Sequence, residues 1–371
     1  MSIQKARAKV RYAVVGAGNI AQVAVLPAFA HASENSELVA IISSDDEKQR
    51  VLGERYGVKH TGTYEDMEQV LADSRADAVY IALPNDLHRF ATERAFKAGV
   101  HVLCEKPMAM TEDDCRAMND AAAAFDRKLM VAYRLHFEEA NLKAIDLVRT
   151  GKIGIPRFLT ATLSHLVKRG DIRTRADMGG GALYDVGVYP INAARNIFGA
   201  EPTEVFAYSV GQVDNAQNQV DEISQALLRF PNGCLAQLTA SQGAGDVSTY
   251  RVVGTEGDLR VEPAFEYASE LAHALTVNGK TRATKFPKRD QFAPELVYFS
   301  RCILEDLEPE PSGEEGLADV RVLEALKRSA AEGRPILLPE MTRKMRPDLS
   351  LEMHKPPVRK PKTVNAPSPS L

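Results

Sequence analysis

Lys106, Asp185 and Tyr189 are the residues of this chain whose types and positions best suit chemistry, since all three side chains can hold or move a proton. Lys106 closely follows an apolar run at 100–104, and ligands of open α/β sheets bind at the carboxyl ends of strands. Asp185 and Tyr189 are four residues apart, which places them on one face of a helix. The alternatives are that Lys106 is a solvated charge that only forms an ion pair with Glu105, and that Tyr189 is a tyrosine of the hydrophobic core.

The residues around this pair predict a close approach of the backbone to another group. Three glycines at 179–181 precede Asp185, and glycine permits such an approach. Pro190 would remove a helical hydrogen bond, so we predict a kink beside Tyr189. Arg173 and Arg175 could reach substrate hydroxyls or could equally lie in solvent.

A second motif, Gly16-Ala17-Gly18-Asn19-Ile20-Ala21, matches the G-x-G-x-x-A turn of dinucleotide-binding proteins. Gly16 permits the tight turn, Gly18 lets the backbone approach a pyrophosphate, and Ala21 allows close packing of helix on strand. Asn19 and Ile20 open the helix, whose free N–H groups attract an anion. We predict a bound dinucleotide; a glycine-rich turn without a ligand is the alternative.

The end of the second predicted strand favours NADP over NAD. NAD-binding chains usually carry an acid there, whereas this strand ends in Ser43 and Ser44, with Lys48 close behind. Hydroxyls and a lysine suit a 2′-phosphate. Asp45 and Asp46 oppose this assignment unless they turn into solvent, and plain turn chemistry is the alternative for the two serines.

Strands and helices alternate in the first third of the chain in the way that positions such a site. The apolar runs at 10–15, 37–42, 78–83, 100–104 and 129–133 are continuous, which is typical of a parallel sheet covered on both faces. Thr111 is a predicted helix N-cap, with Asp114 three residues on. We therefore predict an α/β fold in which residues 1–133 form a Rossmann domain with a doubly wound parallel sheet.

The later part of the chain has a different pattern of predicted elements, in which strands predominate. Strand-like runs at 157–163, 204–210, 223–229, 234–241, 250–254 and 257–261, with a hairpin at 231–233, predict a large, mostly antiparallel sheet. Helices are predicted at about 139–149 and 316–331. We assign residues 134–340 to an α+β domain for substrate binding and oligomerisation.

The last segment, 341–371, has six prolines, seven Lys or Arg residues and two acids. This composition predicts a basic, proline-rich tail. Two interpretations stay open, a solvated tail and an arm that embraces a neighbouring subunit.

Bulk composition excludes several classes of function. A net charge of −4 argues against a nucleic-acid partner, and no apolar run is long enough to span a bilayer. The four cysteines, Cys104, Cys115, Cys234 and Cys302, are too scattered for a zinc site, so we expect no metal and buried free thiols. No leader peptide is apparent, and we expect a cytoplasmic protein.

These motifs together resemble the glucose–fructose oxidoreductase/inositol dehydrogenase family, and most of all its glucose–fructose oxidoreductase branch. The resemblance rests on Glu105-Lys106-Pro107, on Pro84-Asn85 with His88, and on the run 179–189, with further matches at 77–107, 129–136 and 311–318. It spans about residues 10–338, nearly everything except the tail.

The resemblance implies hydride transfer between a sugar hydroxyl and NADP. It makes Lys106 the catalytic lysine, Asp185 the acid that positions the sugar or relays a proton, and Tyr189 the base, where many relatives have a histidine. The residues that would bind the sugar are Lys106, Arg173, Asp185 and Tyr189. Those that would bind the cofactor are Gly16, Gly18, Asn19, Ile20, Ser43, Ser44, Lys48, Leu83, Pro84, Asn85, His88, Glu105, Lys106 and Arg134.

The implied reaction oxidises an aldose, such as glucose or xylose, at C1 to an aldonolactone, with possible reversal on a second sugar. The hydroxyl proton goes to Tyr189, and the ammonium of Lys106 stabilises the phenolate. Fewer than ten residues precede the first strand, so we expect no N-terminal arm over the cofactor and an NADP that exchanges with solution.

Other activities remain open on the same scaffold. One is a dehydrogenase of inositols or of trans-dihydrodiols, although Tyr189 in place of a histidine disfavours the inositol type. Another is a regulator that senses NADP or a sugar without turnover, although such a protein needs no proton relay. The family further implies a homodimer or homotetramer.

Overall fold

The structure is a computed structural model, and it describes residues 9–211 and 220–370. Two β-sheets organise the chain, one six-stranded and one nine-stranded. The predicted fold class is confirmed: a doubly wound parallel sheet is followed by an α+β unit with a mostly antiparallel sheet.

The first sheet is entirely parallel, with the order β3-β2-β1-β4-β5-β6. Its strands are β1 (Val10–Val15), β2 (Ser36–Ile42), β3 (His60–Gly62), β4 (Ala78–Ile81), β5 (His101–Glu105) and β6 (Leu129–Ala132). The strand order reverses between β1 and β4, and the crevice at their carboxyl ends is where such folds bind ligands. The short β3 lies outside the predicted strands.

The second sheet has the order β14-β13-β12-β11-β7-β10-β9-β8-β15. Its strands are β7 (Pro156–Ser164), β8 (Glu204–Gly211), β9 (Asp221–Arg229), β10 (Leu235–Ser241), β11 (Val247–Gly254), β12 (Gly257–Val261), β13 (Leu271–Val277), β14 (Lys280–Phe286) and β15 (Ile336–Leu337). Neighbouring strands are antiparallel except β7 and β10, which run parallel. The ends of β7 and β10 therefore lie side by side.

Helices cover both sheets. They are α1 (Leu26–Ala28), α2 (Asp46–Tyr56), α3 (Met67–Ser74), α4 (His88–Lys97), α5 (Glu112–Ala124), α6 (Glu139–Arg149), α7 (Val188–Phe198), α8 (Ala293–Leu304) and α9 (Gly313–Glu332). A π-helical turn, Ala21–Val25, precedes α1, and another, Leu183–Gly187, precedes α7. The second turn lies where Pro190 predicted a kink.

α8 packs on the first sheet although it follows most of the second sheet in sequence. Ser300 on α8 hydrogen-bonds Tyr12 of β1 at 2.9 Å and Ser36 of β2 at 2.8 Å, and Phe299 is fully buried against the same core. The core of the N-terminal unit is therefore completed by residues from the later part of the chain.

The C-terminal segment packs along its own chain, which neither interpretation of the tail predicted. Arg346 pairs with Glu201 at 2.7 Å, and the Met353 N–H donates to the carbonyl of Phe137. Lys355 then pairs with Glu34 at 2.5 Å. The segment thus crosses from the second sheet to the helices of the first.

The cysteines and the apolar segments of the chain can be compared with the expectations drawn from composition. The four cysteines are buried free thiols, as predicted. Among the residues described, no helix combines the length and the apolar character needed to cross a bilayer.

Candidate active site

The glycine turn after β1 has the shape that a pyrophosphate requires. Gly16 has φ +98°, and a Cβ there would lie 2.4 Å from the carbonyl oxygen of Ala82, so only glycine fits. A Cβ added to Gly18 would meet no atom of the described residues within 4 Å. Open space therefore lies over Gly18, beside Asn19 and Ile20 at the start of the helical segment, where an anion binds.

The polar side chains of the loop after β2 differ in their exposure to solvent. Ser43 is buried, and its hydroxyl accepts from the Asp45 N–H at 3.3 Å, whereas Ser44 is exposed and Lys48 half-buried. The Asp45 carboxylate caps α2 by accepting from the Lys48 N–H at 3.0 Å, and this bond lowers the pKa of Asp45. The geometry leaves Ser44 and Lys48 as the better-placed partners for a phosphate.

The loop after β4 ties the two units of the chain together. Asn85 donates to the carbonyl of Gly179 at 2.9 Å, and a Cβ on Gly179 would lie 2.9 Å from that of Asn85. The predicted close approach at the glycine run is thus made to the residues after β4.

His88 is fully buried and connects this loop to the loop that carries Lys106. Its ring nitrogens lie 2.9 Å from the Pro107 carbonyl oxygen and 3.0 Å from that of Leu83. Burial lowers the pKa of His88, and the carbonyls offset this only in part. His88 therefore helps to fix the backbone of Leu83 and of Pro107.

Lys106 lies at the end of β5 and faces the second sheet. Its Nζ donates to the backbone carbonyl of Asp185 at 2.9 Å and lies 4.6 Å from the centre of the Tyr189 ring. The adjacent Glu105 turns inward and accepts from the hydroxyl of Tyr80 at 2.8 Å. Burial raises the pKa of Glu105, although the Lys106 charge opposes the shift.

Tyr189 has a second cation against its ring. The guanidinium carbon of Arg134 lies 4.9 Å from the ring centre, and Arg134 is itself buried, where it donates to Gln291 and to the carbonyl of Phe265. The face of an aromatic ring attracts cations, so both side chains are held against Tyr189. Lys106 and Arg134 thus place two positive charges beside the Tyr189 ring.

Asp185 lies among groups that hold its charge. Its carboxylate accepts from the Gln242 side chain at 3.0 Å, and Arg173 Nε and His165 Nε2 lie 3.3 Å and 3.8 Å from its oxygens. Burial alone would raise the pKa of Asp185, but Arg173, Lys106 and His165 together lower it. The carboxylate is therefore an acceptor at neutral pH.

The structure brings Lys106, Asp185, Tyr189 and Arg173 together, while Arg134 lies behind the Tyr189 ring. Lys106 contacts the backbone carbonyl of Asp185, so the carboxylate is free of that contact and is instead held by Arg173. Arg175 pairs with Asp177 at the surface and takes no part.

Two residues of the site, His165 and Gln242, were absent from the sequence prediction. Each directly follows the last residue of a strand, Ser164 in β7 and Ser241 in β10, and these residues are paired in the parallel register. The His165 N–H also donates to the Ser241 carbonyl at 3.1 Å. Both residues lie at the ends of predicted strands, but the sequence gives no local signal of the parallel pairing that makes these two ends neighbours.

Comparison with protein families assigns both units of the chain. Residues 10–133 match the model described as "Oxidoreductase family, NAD-binding Rossmann fold", and residues 141–260 match the GFO/IDH/MocA C-terminal domain.

Individual relatives agree with the family models. The chain is 36% identical to D-xylose 1-dehydrogenase [NADP(+)] of Haloarcula marismortui, over 85% of this chain and 90% of the relative. It is 31% identical to the dTDP-3,4-didehydro-2,6-dideoxy-alpha-D-glucose 3-reductase of Actinomadura kijaniata, over 87% and 96%.

Among solved structures, the aldose-aldose oxidoreductase of Caulobacter crescentus, complexed with glycerol, superposes with a TM-score of 0.83. It is 37% identical, and the match covers 89% of this chain and all of that one. A 3-ketoreductase from Actinomadura kijaniata, in complex with NADP and TDP-benzene, gives a TM-score of 0.79 at 29% identity, over 86% and 98% of the two chains.

Proposed function

Because the chain belongs to the GFO/IDH/MocA family of oxidoreductases, we propose that it is an NADP-dependent enzyme that oxidises an aldose at C1 to an aldonolactone. The observation that carries the proposal is the placement of Lys106 Nζ, 4.6 Å from the Tyr189 ring and hydrogen-bonded to the Asp185 carbonyl. The names of the xylose dehydrogenase and of the aldose-aldose oxidoreductase support an aldose as substrate.

The residues present fit NADP. Gly18 leaves open space over the turn for a pyrophosphate, next to Asn19 and Ile20. Ser44 and Lys48 would meet the 2′-phosphate, with Ser43 shaping the loop beneath them. Four residues that follow β4 and β5 would line the nicotinamide, namely Leu83, Pro84, Asn85 and Lys106. His88 and Glu105, which the prediction also assigned to the cofactor, would act indirectly, since His88 contacts the carbonyls of Leu83 and Pro107 and Glu105 accepts from Tyr80. Held by these residues, NADP⁺ would supply the acceptor for the hydride that leaves the sugar.

The protein's own groups supply binding and proton transfer. The Lys106 ammonium donates to the reacting hydroxyl, which lowers the barrier to its deprotonation. Tyr189 is the proposed acceptor of the hydroxyl proton, and the cations of Lys106 and Arg134 lie 4.6 Å and 4.9 Å from its ring centre. The Asp185 carboxylate accepts a neighbouring sugar hydroxyl, and Arg173 and Gln242 hold it in place.

The exposed face of the second sheet supports a homo-oligomer, which we propose to be a dimer or a tetramer. Apolar side chains on four adjacent strands are between 44% and 68% exposed, namely Phe158, Tyr208, Leu227 and Leu235. An apolar surface of this kind, on a sheet face, is typical of a subunit interface.

An assay of NADP⁺ reduction at 340 nm across a panel of aldoses tests the function. Accumulation of NADPH with glucose or xylose would support a dehydrogenase that exchanges its cofactor. Lactone and polyol formed together from two sugars, without free NADPH, would support sugar–sugar dismutation on a retained cofactor. If neither occurs, and a ketosugar is reduced instead, the site is a ketoreductase and the aldose assignment is wrong.

A further inference from the structure

The end of the chain lies against the predicted cofactor site of the same chain. We call residues 362–370 the C-terminal strap. Arg55 on α2 donates to the carbonyl of Lys362 at 2.7 Å, and Gln22 exchanges two hydrogen bonds with the backbone of Val364, at 2.8 Å and 2.7 Å. The strap therefore begins at the first two helical segments of the Rossmann unit.

The middle of the strap contacts both phosphate-binding elements. Asn365 donates to Asp45 at 3.1 Å and to Glu47 at 2.9 Å, next to Ser44 and Lys48. The Asn19 side chain, in the glycine turn, donates to the carbonyls of Ala366 and Pro367, both at 3.1 Å. The strap thus joins the element expected to hold the 2′-phosphate to the one expected to hold the pyrophosphate.

The end of the strap reaches the second unit of the chain. The Lys168 N–H donates to the carbonyl of Pro369 at 2.8 Å, and Lys168 Nζ donates to that of Ser368 at 3.0 Å. Lys168 belongs to the loop that follows β7 and His165. The strap therefore bridges the two units across the mouth of the crevice.

The space beneath the strap stays open. A Cβ built on Gly18 meets no described atom within 4 Å, although Asn19, the next residue, is bonded to the strap. A segment that plugged the site would fill this space. The strap lies beside the pyrophosphate position without occupying it, which is the arrangement of a cover.

The sequence of the strap suits this role. Pro367 and Pro369 in the strap, with Pro361 just before it, restrict the chain to extended conformations and lower the entropy lost when the segment docks. Most contacts are made by its backbone carbonyls, which accept from side chains of Arg55, Gln22, Asn19 and Lys168. Asn365 has φ +45°, a conformation that asparagine tolerates and that directs its amide to Asp45 and Glu47.

We propose that the C-terminal strap retains NADP(H) in the crevice of its own chain, so that one bound cofactor serves successive sugars. This inference rests on the proposed function in so far as NADP is the ligand. It replaces the expectation, drawn from the short N-terminal segment, that NADP exchanges freely with solution.

Release of NADPH from the full chain and from strap variants tests the proposal. Each protein is loaded with NADPH, and the loss of nicotinamide fluorescence is followed after mixing with excess NADP⁺. We expect removal of residues 361–371 to speed release by about tenfold or more, because affinity differences between related complexes lie mainly in the dissociation rate. Asn365→Gly, which keeps the backbone conformation and removes the amide, should give a smaller increase in the same direction.

Lys362→Ala is the matched control, since its exposed side chain is lost while the carbonyl that Arg55 holds remains. It should release NADPH at the rate of the full chain. Limited proteolysis supplies a second readout: bound NADPH should slow cleavage within the strap.

The outcomes distinguish failure of the strap proposal from failure of the proposed function. Equal release rates in the full chain, the truncated chain and Asn365→Gly would overturn the proposal. Tighter NADPH binding by the truncated chain would also overturn it, because the strap would then be an inhibitory plug. If the full chain and the truncated chain both bind NADH but not NADPH, the proposed cofactor fails, whatever the strap does.

Discussion

The ammonium of Lys106 lies 4.6 Å from the centre of the Tyr189 ring, and the two residues belong to different units of the molecule. Lys106 directly follows β5 of the Rossmann unit, while Tyr189 is the second residue of α7, which packs beside the second sheet. The two units of the chain therefore meet at these residues. Predictions about the chemistry concern the residues on both sides of this contact.

Lys106→Met and Tyr189→Phe should each lower turnover by about a thousandfold or more, since each removes a group that acts on the reacting proton. NADPH should still bind, because the glycine turn and the loop after β2 remain intact. Stopped-flow turnover and fluorescence titration measure the two effects separately. Near-normal turnover in both variants would contradict the assigned roles.

Arg173→Leu should shift the acid side of the pH profile of kcat/KM to higher pH. Among the charges that lower the pKa of Asp185, Arg173 makes the largest contribution. Its loss therefore raises that pKa, and the carboxylate becomes protonated at a higher pH. Arg173→Lys, which keeps the charge, should shift the profile less. An unchanged acid limb in Arg173→Leu would mean that the charge of Asp185 has no part in turnover.

Lys48→Ala should weaken binding of NADP by about tenfold and leave binding of NAD nearly unchanged, because only NADP carries the 2′-phosphate that the ammonium neutralises. Arg50→Ala is the matched control, since Arg50 is an exposed cation on the same helix that pairs with Glu54. Binding constants for both dinucleotides settle the comparison. Equal losses for NADP and NAD would place the phosphate elsewhere.

Two glycine substitutions in the turn should act in different ways. Gly16→Ala should destabilise the fold by about 2 kcal/mol or more, since a Cβ at φ +98° would collide with the Ala82 carbonyl. Gly18→Ala should leave the unfolding temperature nearly unchanged but weaken NADPH binding, because its methyl group fills the space kept for the pyrophosphate. Thermal unfolding and fluorescence titration distinguish them. Full NADPH affinity in Gly18→Ala would move the cofactor away from this turn.

Features set by local sequence were predictable. Thr111 caps α5 by accepting from the Asp114 N–H at 3.1 Å, as its residue type indicates. The turn at 231–233 joins antiparallel β9 and β10, with Gly233 at φ +79°. The tight turn after β1 was likewise predictable from its residue types, and Gly16 adopts a φ of +98° there.

Features set by distant contacts were not predictable. His165 and Gln242 meet Asp185 because β7 and β10 pair in parallel, although 77 positions separate the two residues. Nothing in the sequence around either strand indicates that pairing in a sheet that is otherwise antiparallel. The docking of the strap on Gln22 and Asn19 is of the same kind, since more than 340 residues lie between the partners.

Transfer of an isotope from the sugar tests the central claim most directly. An aldose deuterated at C1 is incubated with the enzyme and NADP⁺, with and without a second sugar, and the products are analysed by mass spectrometry. We predict an undeuterated aldonolactone, with the deuterium in NADPH or, when a second sugar is supplied, in the polyol formed from it. A lactone or other product that keeps its C1 deuterium, or no reaction with any aldose, would contradict hydride transfer from C1 at this site.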